Sequence, residues 1–170
     1  MSFMRIITYE EAQHWCAARG LPIKHPIWFD PRIKNGVRFL TEGKQSTVEA
    51  LIRNLVSYQS FDGALVWMID WPLYNEDEMA VVNRVRKSVG EERFLIDAPA
   101  HVFEADENHD CVGLFNLSVQ FFWDALLYVP VTGLLVVNSH DGLQYLSSLR
   151  EAEHLRLKAE VDRCKLVTVD

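Results

Sequence analysis

The sequence predicts an α+β fold: a mixed β-sheet, antiparallel in its C-terminal half, with about four helices packed on it. The chain has 170 residues, of which 49% are hydrophobic and 24% charged, a composition typical of one globular domain spanning residues 1–170. Capping motifs mark helix starts, and short β-branched and aromatic runs between them mark strands. Because strands and helices alternate in the middle of the chain, some parallel pairing is expected there.

Three helices are predicted from a capping residue followed three positions later by Glu, the capping box. These pairs are Thr8 with Glu11, Ser46 with Glu49, and Asn75 with Glu78. The expected inward residues are Val48, Leu51, Ile52, Leu55 and Val56 in the second helix, and Met79, Val82, Val85 and Val89 in the third. The first helix is expected to end near Arg19, the third before Gly90, and a fourth to span about residues 149–164.

Strands are predicted at residues 37–41, 64–70, 93–97, about 117–129, 134–139 and 143–147. Residues 20–35, which contain three prolines, and residues 98–111 are expected to be irregular. The strands from residue 121 onward are apolar at successive positions. We therefore expect a sheet that is covered on both faces, or covered on one and available for association on the other.

Charge and cysteine content narrow the function classes. A net charge of -7 argues against nucleic-acid binding, which depends on clustered Lys and Arg, and favours a basic protein partner. Three cysteines without metal-ligand spacing indicate reduced thiols and a cytoplasmic protein. Acidic residues follow the first few positions, which argues against a secretory signal, and no apolar run is long enough for a membrane span. No cofactor or metal motif is recognised.

The stretch NSHDG raises the possibility of serine, histidine and aspartate chemistry. With PVTG as a four-residue loop, Val129 pairs with Leu134; with Asp141 and Gly142 as a two-residue turn, His140 pairs with Leu143. Adjacent side chains on a strand point to opposite faces. The expected backbone therefore keeps Ser139 away from His140 and argues against a serine nucleophile.

The same pairing predicts a polar row on one sheet face, formed by Asp124, Ser139 and Gln144, while Trp123 flanks His140 on the other face. In the structural interpretation, Asp124 accepts a hydrogen bond from Ser139 and fixes the strand register. In the functional interpretation, the row and His140 form the rim of a shallow binding site at one end of the sheet.

Asp70 and Asp97 each follow an apolar run, in VWMIDWP and FLIDAP. In a parallel sheet both would lie at the carboxyl edge, where open α/β folds build their sites. With His101 as an acid–base group, they are the candidate catalytic residues of a small enzyme, for example a metal-dependent hydrolase. The alternative is that both aspartates are turn residues.

The stretch HVFEADENHD is acidic and contains no basic residue. Its spacing does not match an EF-hand, so we expect a solvated acidic loop, with Glu104, Asp106 and Glu107 available to a basic partner. Trp71 and Tyr74, in DWPLY, either anchor a protein contact or close one end of the core.

Residues 121–142, FFWDALLYVPVTGLLVVNSHDG, resemble strand pairs of uncharacterised small bacterial proteins, some of them grouped with immunity proteins that neutralise toxins. The resemblance implies an acidic, single-domain binding protein.

Three functional hypotheses follow. The preferred one is a soluble, non-enzymatic binding or inhibitory protein that occludes a basic toxin or enzyme through acidic loops and exposed aromatics. The second is the enzyme with the carboxylate site described above. The third is a homodimer that associates through an uncovered apolar face of the sheet.

Overall fold

The computed structural model describes residues 4–23, 36–57, 61–70 and 76–169, with the backbone alone for Asp70, Glu76 and Glu78. The helices are α1 (Tyr9–Ala18), α2 (Gln45–Ser57), α3 (Glu76–Ser88), α4 (Asn108–Phe121) and α5 (His154–Arg163), the last preceded by a 3-10 turn, Glu151–Glu153. The strands are β1 (Arg5–Ile7), β2 (Val37–Leu40), β3 (Ala64–Asp70), β4 (Ala100–Phe103), β5 (Asp124–Val129), β6 (Leu134–Asn138), β7 (Leu143–Ser148) and β8 (Thr168–Val169).

The strands form one eight-stranded sheet in the order β1-β4-β3-β5-β6-β7-β2-β8. All the pairings between them are antiparallel. The α+β class and the C-terminal meander are therefore confirmed, whereas the expected parallel pairing is wrong for the described strands. The connection from β3 through α3 returns the chain to the sheet end that β3 leaves, so β4 runs back antiparallel to it. Residues 93–97, predicted as a strand, form turns instead.

Local capping signals are confirmed best in α1. The Thr8 Oγ1 accepts from the Glu11 backbone N–H at 3.3 Å, and the Thr8 N–H donates to Glu11 Oε2 at 2.8 Å. Helix α2 begins at Gln45, so Ser46 lies inside the helix and its prediction as the cap is wrong, whereas the five predicted inward residues are all buried. The predicted cap of α3, Asn75, lies outside the described residues.

Helix α4 was missed, because its residues were predicted partly as an irregular stretch and partly as a strand. Cys111, Val112, Leu114, Phe115, Asn116, Ser118 and Val119 are all buried in it. A helix that is buried on most sides lacks the polar face on which helical periodicity depends. It ends at Phe122, which has a left-handed backbone (φ 54°), and the Trp123 N–H donates to Ser118 O at 2.8 Å.

The sheet separates two cores and is covered on both faces. On one face α1 packs through Ala12, Trp15 and Cys16. On the other face lie α2, α4 and α5, joined by Val82 of α3. Because every residue of β5 and β6 is buried, these strands do not offer the uncovered face that the homodimer hypothesis required. Among the described residues, no helix combines the length and apolar character needed to cross a bilayer.

The hairpin between β6 and β7 differs from the prediction by one residue. Asn138 pairs with Gln144, and the Ser139 N–H donates to Leu143 O at 2.9 Å, so the loop has three residues, 140–142; Gly142 takes the left-handed conformation (φ 72°) that such loops require. A one-residue shift moves every side chain of a strand to the other face. Gln144 therefore lies beside Asn138, to which its amide donates, on the face opposite Asp124 and Ser139, and the predicted polar row is wrong.

Candidate functional site between helices α3 and α4

Helix α3 packs on the sheet through Val82, the partly buried Met79 and one charged side chain, Arg86. Val82 and Arg86, one helical turn apart, are 3% and 2% exposed. The Arg86 guanidinium donates from Nη1 to Ala98 O at 2.8 Å and from Nη2 to Arg93 O at 3.3 Å. The position of α3 thus depends on polar contacts of a buried cation with the loop that precedes β4.

The third partner of Arg86 is His101, the predicted acid–base residue. Arg86 Nη1 lies 3.2 Å from His101 Nε2, and His101 is 1% exposed. Burial and the neighbouring Arg86 charge lower the pKa of His101 to about 3, so its ring is neutral near pH 7 and Nε2 can accept from Arg86. The pKa of Arg86 is lowered to about 10 by burial, which leaves it charged. The structure thus places His101 in the core as a support for α3.

A valine stripe on α3 remains accessible. Val81, Val85 and Val89, which follow each other at four-residue intervals, are 48%, 42% and 37% exposed. The sequence predicted Val85 and Val89 as inward residues, and this is wrong, because Arg86 takes the inward position. The helix is rotated so that Val85 and Val89, but not Val81, are turned towards α4 without closing on it.

Between α3 and α4 lies a groove of about 550 Å³, which we call the α3–α4 groove. Its lining residues are Met4, Val85, Val89, Asp106, Glu107, His109, Asp110, Gly113, Leu114 and Leu117. Its apolar members are Val85 and Val89 of α3, Leu114 and Leu117 of α4, and Met4, which precedes β1. A concave apolar surface of this size suits the side chains of a bound segment.

The polar lining of the groove is acidic. Asp106 and Asp110 are exposed, and the described lining residues include three carboxylates and neither Lys nor Arg. Glu107 is only 7% exposed, and its Oε2 accepts from the Glu104 N–H at 2.8 Å, so it mainly shapes the start of α4. Glu104 is exposed but does not line the groove. The acidic stretch predicted from sequence thus contributes Asp106 and Glu107 to an apolar groove.

A second depression, of about 390 Å³, lies on the other side of α4, against α2. Its own lining is largely polar: Glu49, Arg53, Val112, Asn116 and Gln120. It shares His109, Gly113 and Leu117 with the α3–α4 groove. Helix α4 is therefore flanked by two depressions of different polarity.

The other candidate location is the sheet end formed by β3, β5 and the β6–β7 hairpin. The Asp124 carboxylate, 3% exposed, accepts from the His140 backbone N–H at 2.6 Å, and its Oδ2 lies 3.0 Å from His140 Nδ1. His140 is half exposed, and its Nε2 lies 3.4 Å from Asp141 Oδ1. The Ser139 hydroxyl accepts from the Asp141 N–H, so it serves the turn.

Antiparallel pairing places residues of two predicted sites, Asp70 and Asp124, at this end of the sheet. Asp70, at the end of β3, is the cross-strand partner of Asp124 at the start of β5. Asp97 is exposed in the turn before β4, and His101 is buried further along that strand. Trp71 and Tyr74 lie outside the described residues. Within the described part of the chain, no group of three or more His, Cys, Asp or Glu side chains is arranged to hold a metal ion.

Sequence reasoning missed the α3–α4 groove because it depends on the rotation of α3. Valines at positions 81, 82, 85 and 89 span about 100° of the helix circumference, so the pattern assigned this whole sector to the buried side, whereas only Val82 is buried. An arginine at position 86, one turn after Val82, was the available signal that a polar side chain could anchor this helix.

Comparisons with protein-family models, with curated proteins and with solved structures found no match to this chain. The function is therefore inferred from the geometry and chemistry of its own surfaces.

Proposed function

We propose that this protein is a non-enzymatic binding protein that inhibits a basic partner, in the manner of an immunity protein, by holding a basic amphipathic segment of it in the α3–α4 groove. The single observation that carries the proposal is that two exposed valines of α3, Val85 and Val89, line an apolar groove that also contains the exposed carboxylates of Asp106 and Asp110. The apolar side chains of the groove match the apolar side of such a segment, and its carboxylates match the basic side.

The apolar contribution comes from side chains that are accessible before binding. Val85 and Val89 are 42% and 37% exposed, and both line the groove, where Leu114 and Leu117 face them from α4. Covering such side chains gains about 25 cal/mol per Å² of apolar surface removed from water. The groove therefore offers hydrophobic free energy that folding of the described residues leaves unused.

The charge contribution selects the partner. Asp106 and Asp110 lie on the rim of the groove, and the whole chain carries a net charge of -7. Complementary charge accelerates association with a basic partner and disfavours acidic ones.

We also propose a cytoplasmic location. It is supported by three free cysteines, of which Cys16 and Cys111 are buried, and burial raises the pKa of Cys16 to about 12.

The proposal is tested with a fluorescein-labelled, amidated peptide of Leu and Lys, in which Leu recurs at helical spacing, and with a Leu–Glu peptide of the same pattern. Fluorescence anisotropy should show binding of the Leu–Lys peptide alone. Val85→Asp should weaken this binding about tenfold or more, equivalent to about 1.4 kcal/mol. The matched control is Val167→Asp, which changes a valine that is 60% exposed beside β8, at the opposite edge of the sheet. Equal affinity of wild type and Val85→Asp would contradict the proposal.

A second candidate function is a small enzyme at the sheet end that contains Asp70 and Asp124. The observation in its favour is a buried carboxylate that orients a half-exposed imidazole, as in acid–base catalysis. Asp97 and His101 were the other predicted members. The test is hydrolysis of a panel of 4-nitrophenyl esters and phosphates by wild type and His140→Gln. Faster hydrolysis by wild type supports an enzyme, and equal rates exclude His140 as its acid–base group.

A further inference from the structure

We propose that the bound segment is an α-helix that crosses over α4 at Gly113, so that it covers the α3–α4 groove and the depression beside α2 together. This inference rests on the proposed function and specifies the form and path of the ligand. The observation behind it is Gly113, which neither its backbone conformation nor its packing in the described part of the chain requires to be glycine.

Gly113 lies in the interior of α4 (Asn108–Phe121) and is exposed. It is not among the glycines with a positive φ, so its backbone conformation is one that any residue can adopt. A Cβ added at this position would meet no atom within 4 Å. Glycine is less favourable than alanine inside a helix because it loses more conformational freedom on folding.

The position of Gly113 explains how a missing side chain could serve binding. His109, Gly113 and Leu117 follow each other at four-residue intervals, and all three line both depressions. Rows of this spacing form the ridges of a helix surface. The ridge therefore separates the two depressions, and Gly113 makes its middle low. An incoming helix could pass over α4 there at a shorter distance than a side chain would allow.

The polarity of the two depressions fits the two sides of an amphipathic helix. The α3–α4 groove offers apolar side chains and the carboxylates of Asp106 and Asp110. The depression beside α2 offers the polar side chains of Glu49, Arg53 and Gln120; Asn116, which also lines it, is 7% exposed, and its buried Oδ1 has no hydrogen-bond partner among the described residues. A crossing helix would place apolar and cationic side chains over the first and polar donors over the second.

The experiment measures stability and binding of the same variants, Gly113→Ala and Gly113→Leu, with the Leu–Lys peptide as probe. Both substitutions should raise the thermal unfolding temperature, since they replace an interior helical glycine in open space. Binding should change in the opposite direction: a few-fold loss for Gly113→Ala and about a tenfold loss, equivalent to about 1.4 kcal/mol, for Gly113→Leu. Unchanged or tighter binding by Gly113→Leu would overturn the crossing at this position.

Two controls separate this inference from the proposed function. Ala17→Leu adds a leucine to an exposed position of α1, on the other face of the sheet, and should leave peptide affinity unchanged. A peptide of the same composition with two central D-residues, which disfavour a helix, should bind at least tenfold more weakly. If Val85→Asp weakens binding but Gly113→Leu or the D-residues do not, the helical crossing fails while the groove stands. If Val85→Asp has no effect, the proposed function fails as well.

Discussion

Arg86 Nη1 and His101 Nε2 lie 3.2 Å apart in the core, where a charged guanidinium donates to a neutral imidazole. Two backbone carbonyls, of Ala98 and Arg93, accept the other hydrogen bonds of Arg86. This contact joins α3 to β4. It also fixes the rotation of α3 that leaves its valine stripe accessible.

Replacing Arg86 by Met should destabilise the protein by about 2 kcal/mol. The methionine can fill much of the volume, but the two carbonyls and the His101 ring would lose their donors in a buried environment. Urea unfolding followed by circular dichroism measures the difference. Arg84→Met, at an exposed position of the same helix, is the matched control and should change stability by less than about 0.5 kcal/mol. Equal stability of the two variants would show that the Arg86 contacts contribute nothing net.

The free energy of unfolding should decrease as the pH is lowered through a range set by the pKa of His101. Its pKa is lowered to about 3 in the folded protein from the usual histidine value of about 6.5. As the pH falls below about 6.5, His101 therefore binds a proton in the unfolded chain but not in the folded protein. The free energy of unfolding then decreases with a slope approaching about 1.4 kcal/mol per pH unit. Between pH 6.5 and 4.5 this amounts to about 2 kcal/mol.

Glu91 defines a second pH range of stability loss, which lies below that of His101. Its hydrogen bonds to Arg93 lower the pKa of Glu91 to about 2, so the stability it contributes is present above about pH 4.5 and is lost as the pH falls towards 2. Urea unfolding of wild type, His101→Gln and Glu91→Gln at pH 6.5 and 4.5 separates the two groups. His101→Gln should reduce the pH dependence in the upper window, whereas Glu91→Gln should retain it. An unchanged pH dependence in His101→Gln would assign the loss to other groups.

Asp124 should matter more for stability than its partner His140. Asp124→Ala removes a buried acceptor from the His140 backbone N–H and from its ring, which should cost about 2 kcal/mol. His140→Ala retains the backbone hydrogen bond and removes a ring that is half exposed, so about 0.5 kcal/mol is expected. Thermal unfolding of both variants measures this order. The reverse order would mean that the ring contact, rather than the backbone contact, holds the hairpin turn.

Neutralising the rim of the groove should weaken peptide binding and its salt dependence together. For Asp106→Asn combined with Asp110→Asn, we expect a loss of about threefold to tenfold in affinity for the Leu–Lys peptide, or about 0.7–1.4 kcal/mol. The loss should shrink as ionic strength rises from about 0.01 to 0.15 M, because the Debye length falls from about 30 to 8 Å. Glu42→Gln combined with Glu151→Gln removes the same charge from exposed positions outside the groove. If this control weakens binding equally, net charge rather than the rim attracts the peptide.

Local signals predicted much of the framework. The limits of β3 were predicted correctly because its apolar run is bounded by turn residues, and the capping box of α1 formed as expected. The pairing of β5 with β6 was also correct, since the four-residue loop between them fixes the register.

The errors have physical causes in tertiary structure. Asp141 and Gly142 suit a two-residue turn, but the same glycine also suits the left-handed position of a three-residue loop, which shifted β7 by one residue. The inward side of α3 was decided by acceptors on Ala98, Arg93 and His101, which come from segments later in the sequence. The α3–α4 groove therefore could not be predicted from the pattern of α3 alone.

The two border strands of the sheet, β1 and β8, have three and two residues. Such short borders provide few free backbone groups on which a foreign chain could add as a further strand, and so discourage fibre-like stacking. The described sheet is thus a poor template for growth in either direction. The partner that we propose would therefore be recognised by side chains of the helical layer, and not by strand addition at the sheet edges.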